Sequence, residues 1–148
     1  MDSSTLGESR DTARAMSDEN VEILRRQYER WATGDLSSDC FDPDVGYSRI
    51  GAETPDMEGR WRGLDEVWAA MLEYIRAFSD LRIEAERLMD LGEDRVLVLS
   101  RQTARGKHSG VPIDHEFGEL FTLRDGKVVR YDTYWNRADA LEAAGLSE

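Results

Sequence analysis

Cysteine is nearly absent from this sequence. Cys40 stands alone, so neither an intramolecular disulfide nor a cysteine-cluster metal site is open to it. Basic charge is scarce too: 31 Asp and Glu against 19 Lys and Arg leave a net charge of −12. Such a surface repels nucleic-acid phosphates and anionic lipid, both of which are held by basic patches. Long apolar runs are missing: 96–99 is uncharged and apolar, and even the longest run, 67–72, has six residues, far short of the ~20 residues of a membrane helix. No charged-then-apolar leader opens the chain, which points away from secretion. These absences leave a cytoplasmic domain with no nucleic-acid or membrane partner, built for a small molecule or a protein, and no cofactor is implied. At 148 residues the chain suits one domain large enough to bury its own core.

Residues 1–16 hold almost nothing apolar and read as a disordered tail, with a single domain over 17–148. Ser17 is the expected N-cap of a first helix, with Asp18 and Glu19 in its first turn. Val21, Leu24, Tyr28 and Trp31 form its apolar stripe, and Gly34 closes it. A turn over 41–44 leads into a short strand around 45–50. Residues 51–62, with Met57 and Trp61, read as a surface loop that could cover a cavity mouth. Leu64, Val67, Trp68, Met71, Ile75 and Phe78 give a second helical stripe. The period then changes. Segments 81–90, 95–105, 113–123 and 127–135 are strand-like and separated by turn signals, and 137–144 is a terminal helix ended by Gly145. Helices first and a meander last predict an α+β fold, a curved antiparallel sheet wrapped around the N-terminal helices with a cavity between them.

Several local features point the same way. Gly34-Asp35 ends the first helix, Phe41-Asp42-Pro43-Asp44 precedes the first strand, and Asp125-Gly126-Lys127 joins the last two strands. With the tail from Arg137 to Leu146, these resemble the SnoaL-like and ketosteroid-isomerase-like proteins of the nuclear transport factor 2-like superfamily, over residues 20–146. The resemblance implies a cystatin-like, cone-shaped barrel with a central pocket for an apolar small molecule, and a homodimer through the outer sheet face. It specifies a fold better than an activity, since this family holds isomerases, cyclases, hydratases, epoxide hydrolases and non-catalytic binders.

Strand parity decides which side chains face the pocket. With Arg124-Asp125-Gly126 as a bulged turn, Leu123 pairs with Lys127, Glu119 faces Tyr131, Phe117 faces Thr133 and Phe121 faces Val129. A two-residue turn would instead invert one strand. The bulge is preferred because it gathers Phe117, Phe121, Leu123, Val129, Tyr131 and Trp135 on one apolar face. A hairpin centred near Gly110 sets Arg101 opposite Glu119. Leu97, Leu99, Arg101 and Thr103 then join the concave set, with Thr133 beside them. The opposite face, with Val96, Val98, Ser100, Gln102, Gly118 and Leu120, is pale enough to pack against a second copy.

Glu119 and Arg101 are therefore the candidate catalytic pair, the carboxyl serving as acid or base. The resemblance puts the isomerases' buried acidic donor at Glu119 and their tyrosine donor at Gln27 or Tyr28. Their carboxylate base falls on Arg49 or Ser48, neither of which can take up a carbon-bound proton unaided. The epoxide-hydrolase pattern keeps Arg101 but has Thr103 and Thr133 where acids belong. The cyclases' acid–histidine pair would need His115 beside Glu119, yet four residues of strand separate them by ~13 Å. Arg49, Thr103, His115, Phe117, Phe121, Tyr131, Thr133 and Trp135 join Gln27, Tyr28 and Trp31 as expected ligand contacts. Two functions follow: a cofactor-independent isomerase, cyclase or hydratase, or a binding module with the same pocket.

Overall fold

The computed structural model describes residues 3–37, 39–51 and 58–146, with side chains from Asp18 onward. Helix α1 spans Ser3–Ala32, strand β1 Phe41–Ile50, strand β2 Gly59–Arg62 and helix α2 Leu64–Arg76. Strands β3 (Phe78–Gly92), β4 (Arg95–Gly106), β5 (Pro112–Arg124) and β6 (Lys127–Tyr134) form the meander, and α3 covers Arg137–Ala143. The result is the expected α+β fold, built on one sheet in the order β2-β1-β6-β5-β4-β3. Neighbouring strands are antiparallel except β1 and β6, which run parallel.

Helix α1 begins at Ser3, so Ser17 is no N-cap and the backbone expected as a tail is helical from that point. Residues 3–16 contain no proline, and extending a helix already anchored downstream avoids the cost of nucleation. The other end is as expected. Gly34 takes φ +84°, and Asp35 N–H returns to the Arg30 carbonyl at 2.9 Å, a left-handed stop that suits glycine. Residues 59–62 are strand β2 paired with β1, not loop, while Met57 and the rest of 52–57 lie outside the described residues.

Two of the three meander turns differ from expectation in a way that matters for the site. Between β5 and β6 the turn has two residues, Asp125 (φ +51°) and Gly126 (φ +76°), with Arg124 paired to Lys127. Asp-Gly favours this geometry because both central residues need positive φ. A bulge then falls between Thr122 and Leu123 on one strand and their partners Arg130 and Val128 on the other. Val128, rather than Val129, is the buried residue. Beyond the bulge Glu119 faces Thr133 and Phe121 faces Tyr131, so the inward parity of β5 and of β6 from Tyr131 onward survives.

The β4–β5 turn has no such compensation. Gly106 N–H bonds to the Val111 carbonyl at 2.9 Å and Gly110 N–H to the Gly106 carbonyl at 2.8 Å, so Arg105 pairs with Pro112. The hairpin is centred before Gly110, which supplies the left-handed residue at φ +68°. Glu119 consequently faces Val98, and Arg101 faces Glu116. All of β4 is inverted relative to expectation.

Val96 and Val98 belong to the inner core with Leu24, Tyr28, Phe41, Phe121 and Tyr131. Leu97 joins Leu120 and Ala140 in a second cluster on the outer face, beneath α3. Gly118 allows that docking, since a Cβ there would stand 2.3 Å from the Ala140 Cβ. Arg137 pins the start of α3 across the strands, donating to the Ser100 carbonyl at 2.8 Å and pairing with Glu86 and Glu116. The chain's own α3 thus covers the Leu120 part of the face expected to pack against a second copy.

Candidate functional site

Glu119 projects inward from the middle of β5 and is 2% exposed. Its carboxylate accepts three hydroxyl hydrogen bonds, each from a different element. Tyr28 on α1 donates to Oε1 at 2.5 Å, Ser100 on β4 donates to Oε1 at 3.3 Å, and Thr133 on β6 donates to Oε2 at 3.3 Å. Burial pushes the Glu119 carboxyl up to about 7, while the Tyr28, Thr133 and Ser100 hydroxyls pull it partly back. Burial and the adjacent carboxylate together hold the Tyr28 phenol well above its ordinary value. Tyr28 is therefore a permanent donor, and Glu119 exchanges a proton near neutrality.

The carboxyl opens onto a cavity of about 80 Å³. Strand β1 contributes Tyr47, Arg49 and Ile50, and α2 contributes Met71, Tyr74 and Ile75. The remaining wall is Ile83, Gln102, Phe117, Tyr131, Thr133 and Trp135. A second cavity of about 210 Å³ shares Met71, Ile75, Ile83 and Tyr131 with the first and extends to Trp31 and Trp68. An apolar cup with a few convergent polar groups is the usual form of a small-molecule site.

Of the expected contacts, Arg49, Phe117, Tyr131, Thr133 and Trp135 line the first cavity with Glu119. Tyr28 stands behind Glu119, and Trp31 lines the second cavity. Phe121 is core, stacked on Tyr131 with ring centroids 4.5 Å apart. Gln27 is buried but turns away, bonding the Ser37 carbonyl and Cys40. Of the two candidates for the tyrosine donor, Tyr28 is thus the one that reaches the carboxyl.

Arg101 is a correction. It forms a two-pronged pair with Asp114 at 2.7 and 2.5 Å on the exposed side of the sheet, away from Glu119. Thr103 follows it outward by parity. His115 stacks on Trp135 at 3.8 Å and its Nε2 meets the Trp135 carbonyl at 2.6 Å, outside the cavity wall.

Sequence reasoning missed Tyr47, Tyr74, Ser100 and Gln102 as site residues. Tyr74 lies between Met71 and Ile75 on one helical stripe, and Tyr47 alternates with Val45 and Arg49, so periodicity carried a signal for both. Ser100 and Gln102 continue the Val96–Val98 alternation and follow once β4 has the right parity. Arg49 is held by neutral groups, donating from Nε to the Tyr47 hydroxyl and from Nη2 to the Ala70 carbonyl, both at 3.0 Å. Its guanidinium lies 5.4, 4.9 and 4.9 Å from the ring centres of Tyr47, Trp61 and Tyr74.

This arrangement of sheet, helices and cup is that of the nuclear transport factor 2-like fold. The SnoaL-like domain family matches residues 24–131, and the chain belongs to that family. No curated relative matches it. Among solved structures it is similar to a nuclear transport factor 2-like protein of unknown function from Burkholderia pseudomallei, at 20% identity and TM-score 0.71, covering 84% of this chain and 95% of that one. A candidate SnoaL-like polyketide cyclase from Jannaschia sp. aligns at 21% identity and TM-score 0.69, over 88% and 94% of the two chains. AclR, a candidate hydroxylase from Streptomyces galilaeus, aligns at 23% identity and TM-score 0.65, over 86% and 96%. At such identities the likeness is one of fold.

Proposed function

We propose that this protein is a cofactor-independent enzyme that moves a proton on an apolar small molecule, with Glu119 as the acid or base and Tyr28 as its fixed hydrogen-bond donor. One observation carries the reading: a carboxyl 2% exposed, poised near neutrality and bonded only by hydroxyls, lines the cavity. A group with its pKa near the working pH is available in both forms, which suits proton transfer in an isomerase, cyclase or hydratase. Thr133 and Ser100 keep the carboxyl oriented whichever form it takes. Among the described residues no helix is long and apolar enough to cross a membrane, and a reducing cytoplasm suits a chain with one thiol. A homodimer through the β1–β6 part of the outer face, around Ser48, Val129 and Asp132, completes the proposal, with sedimentation as its check.

Carbon–hydrogen exchange reads out proton transfer whatever the natural substrate is. In deuterated buffer, the wild-type protein should accelerate α-proton exchange of apolar ketones such as 2-tetralone, followed by NMR. Glu119→Gln should lower that rate by ~10²–10⁴-fold, the usual worth of a positioned acid or base. Equal exchange by both proteins would overturn the assignment. One feature favours a second reading, a binder without turnover: Arg49 lines the cavity where the isomerases' base would stand, and Ser48 turns outward onto Asp132. Under that reading apolar compounds raise the melting temperature and come back unchanged.

A further inference from the structure

The wall of the cavity holds two hydrogen-bond donors that the fold does not use up. Gln102 is 2% exposed, and its amide oxygen accepts from the Tyr74 hydroxyl at 2.8 Å. Its Nε2 is buried with no partner among the described residues. Leaving a buried donor unpaired costs ~1–3 kcal/mol, so an unpaired amide in a cavity wall points to a ligand atom that completes it. Arg49 is the second donor. Among the described residues no carboxylate lies within ion-pair distance of it, in a chain that has 31 acids. Among the described residues its hydrogen-bond partners are a phenol and a carbonyl, both neutral.

The two donors are neighbours through one side chain. The Tyr74 ring lies 4.9 Å from the Arg49 guanidinium carbon, and the hydroxyl of that same ring holds the Gln102 amide. Both residues line the cavity that Glu119 lines. We infer that the ligand of this cavity carries a carboxylate, or a similarly acidic oxygen, which takes one hydrogen bond from the Gln102 amide and its counter-charge from Arg49. The apolar body of the ligand lies along Met71, Ile75, Ile83 and Tyr131, the residues common to both cavities. Arg49 stacks among three aromatic rings that keep its position fixed, so the carboxylate meets a charge already oriented. This rests on the reading of the cavity as the ligand site, and it narrows the substrate class to apolar acids.

A matched pair of probes tests it: 2-naphthoate and 2-naphthamide have the same ring and differ in charge. Calorimetric titration of the full chain at pH 6 should give naphthoate at least tenfold tighter binding than the amide. Arg49→Met should bring the two within about threefold by weakening the naphthoate alone. Gln102→Leu, a separate variant should the first fail to fold, should weaken both probes together, since both present an acceptor oxygen. Equal affinities in the wild type, or a preference for naphthoate that survives Arg49→Met, would overturn the inference while leaving the Glu119 exchange result standing. Failure of both probes to bind at millimolar concentration would overturn it together with the cavity as a ligand site.

Discussion

The two faces of the central strands are both buried, but they are buried in different ways. Beneath α3, Leu97, Leu120 and Ala140 close against one another, and Gly118 lets the helix approach to contact. On the opposite face, one residue away along each strand, Glu119, Ser100 and Gln102 are buried as completely as their apolar neighbours Val98 and Phe121. Beneath α3 the outer face is close-packed and apolar, which is what stability alone would select. The inner face retains a carboxyl that burial makes hard to ionise and an amide left half-paired. Polar groups kept at such a cost are what the proposed chemistry would require, since stability is commonly traded for function.

The largest expected break in that contrast comes from pH. Below the ordinary value of 4.5, Glu119 is protonated in both the folded and the unfolded chain. As pH rises from there to about 7, the unfolded chain releases this proton and the folded chain keeps it, so folding stability falls across that window. The full loss is on the order of 3 kcal/mol. Glu119→Gln removes the slope. Urea unfolding at pH 4.5 and pH 8 should therefore show the variant gaining on the wild type by about that amount, and a constant difference would contradict the burial account.

Gly118→Ala probes the other face. The added methyl meets Ala140, so α3 must shift, at a cost of ~1–3 kcal/mol in denaturant unfolding. Proton exchange at Glu119 should persist in the same variant, because the methyl points away from the cavity. The smallest effect belongs to Arg101→Ala. Its pair with Asp114 is solvent-exposed, and exposed pairs contribute little. Melting temperature and probe binding should both be unchanged within error, and loss of binding would restore Arg101 to the site.

How far the sequence reaches follows the same division. Helical stripes were legible because Leu24, Tyr28, Val67 and Met71 recur at helical spacing whatever the chain packs against. Glu119 was legible as inward because Phe117 and Phe121 flank it at period two. What failed was register between strands, which depends on turn geometry. Two glycine-containing turns each admitted more than one centre. At Asp125-Gly126 a bulge restored most of the inward face, whereas at the β4–β5 turn Gly110 ends the turn rather than centring it, and the shift exchanged Arg101 for Ser100 and Gln102. A single parity error therefore set Arg101 beside Glu119 as its expected partner and concealed the unpaired amide.

The central claim is that Glu119 is a buried carboxyl whose proton comes and goes near neutrality. A carbon-13 NMR titration of the side-chain carboxyls, with Glu119 assigned by its loss in Glu119→Gln, measures this directly. A midpoint close to 7 is the predicted result. A midpoint in the ordinary carboxylate range, near 4.5, would contradict it and leave Glu119 fully ionised at neutral pH, unable to serve as the acid.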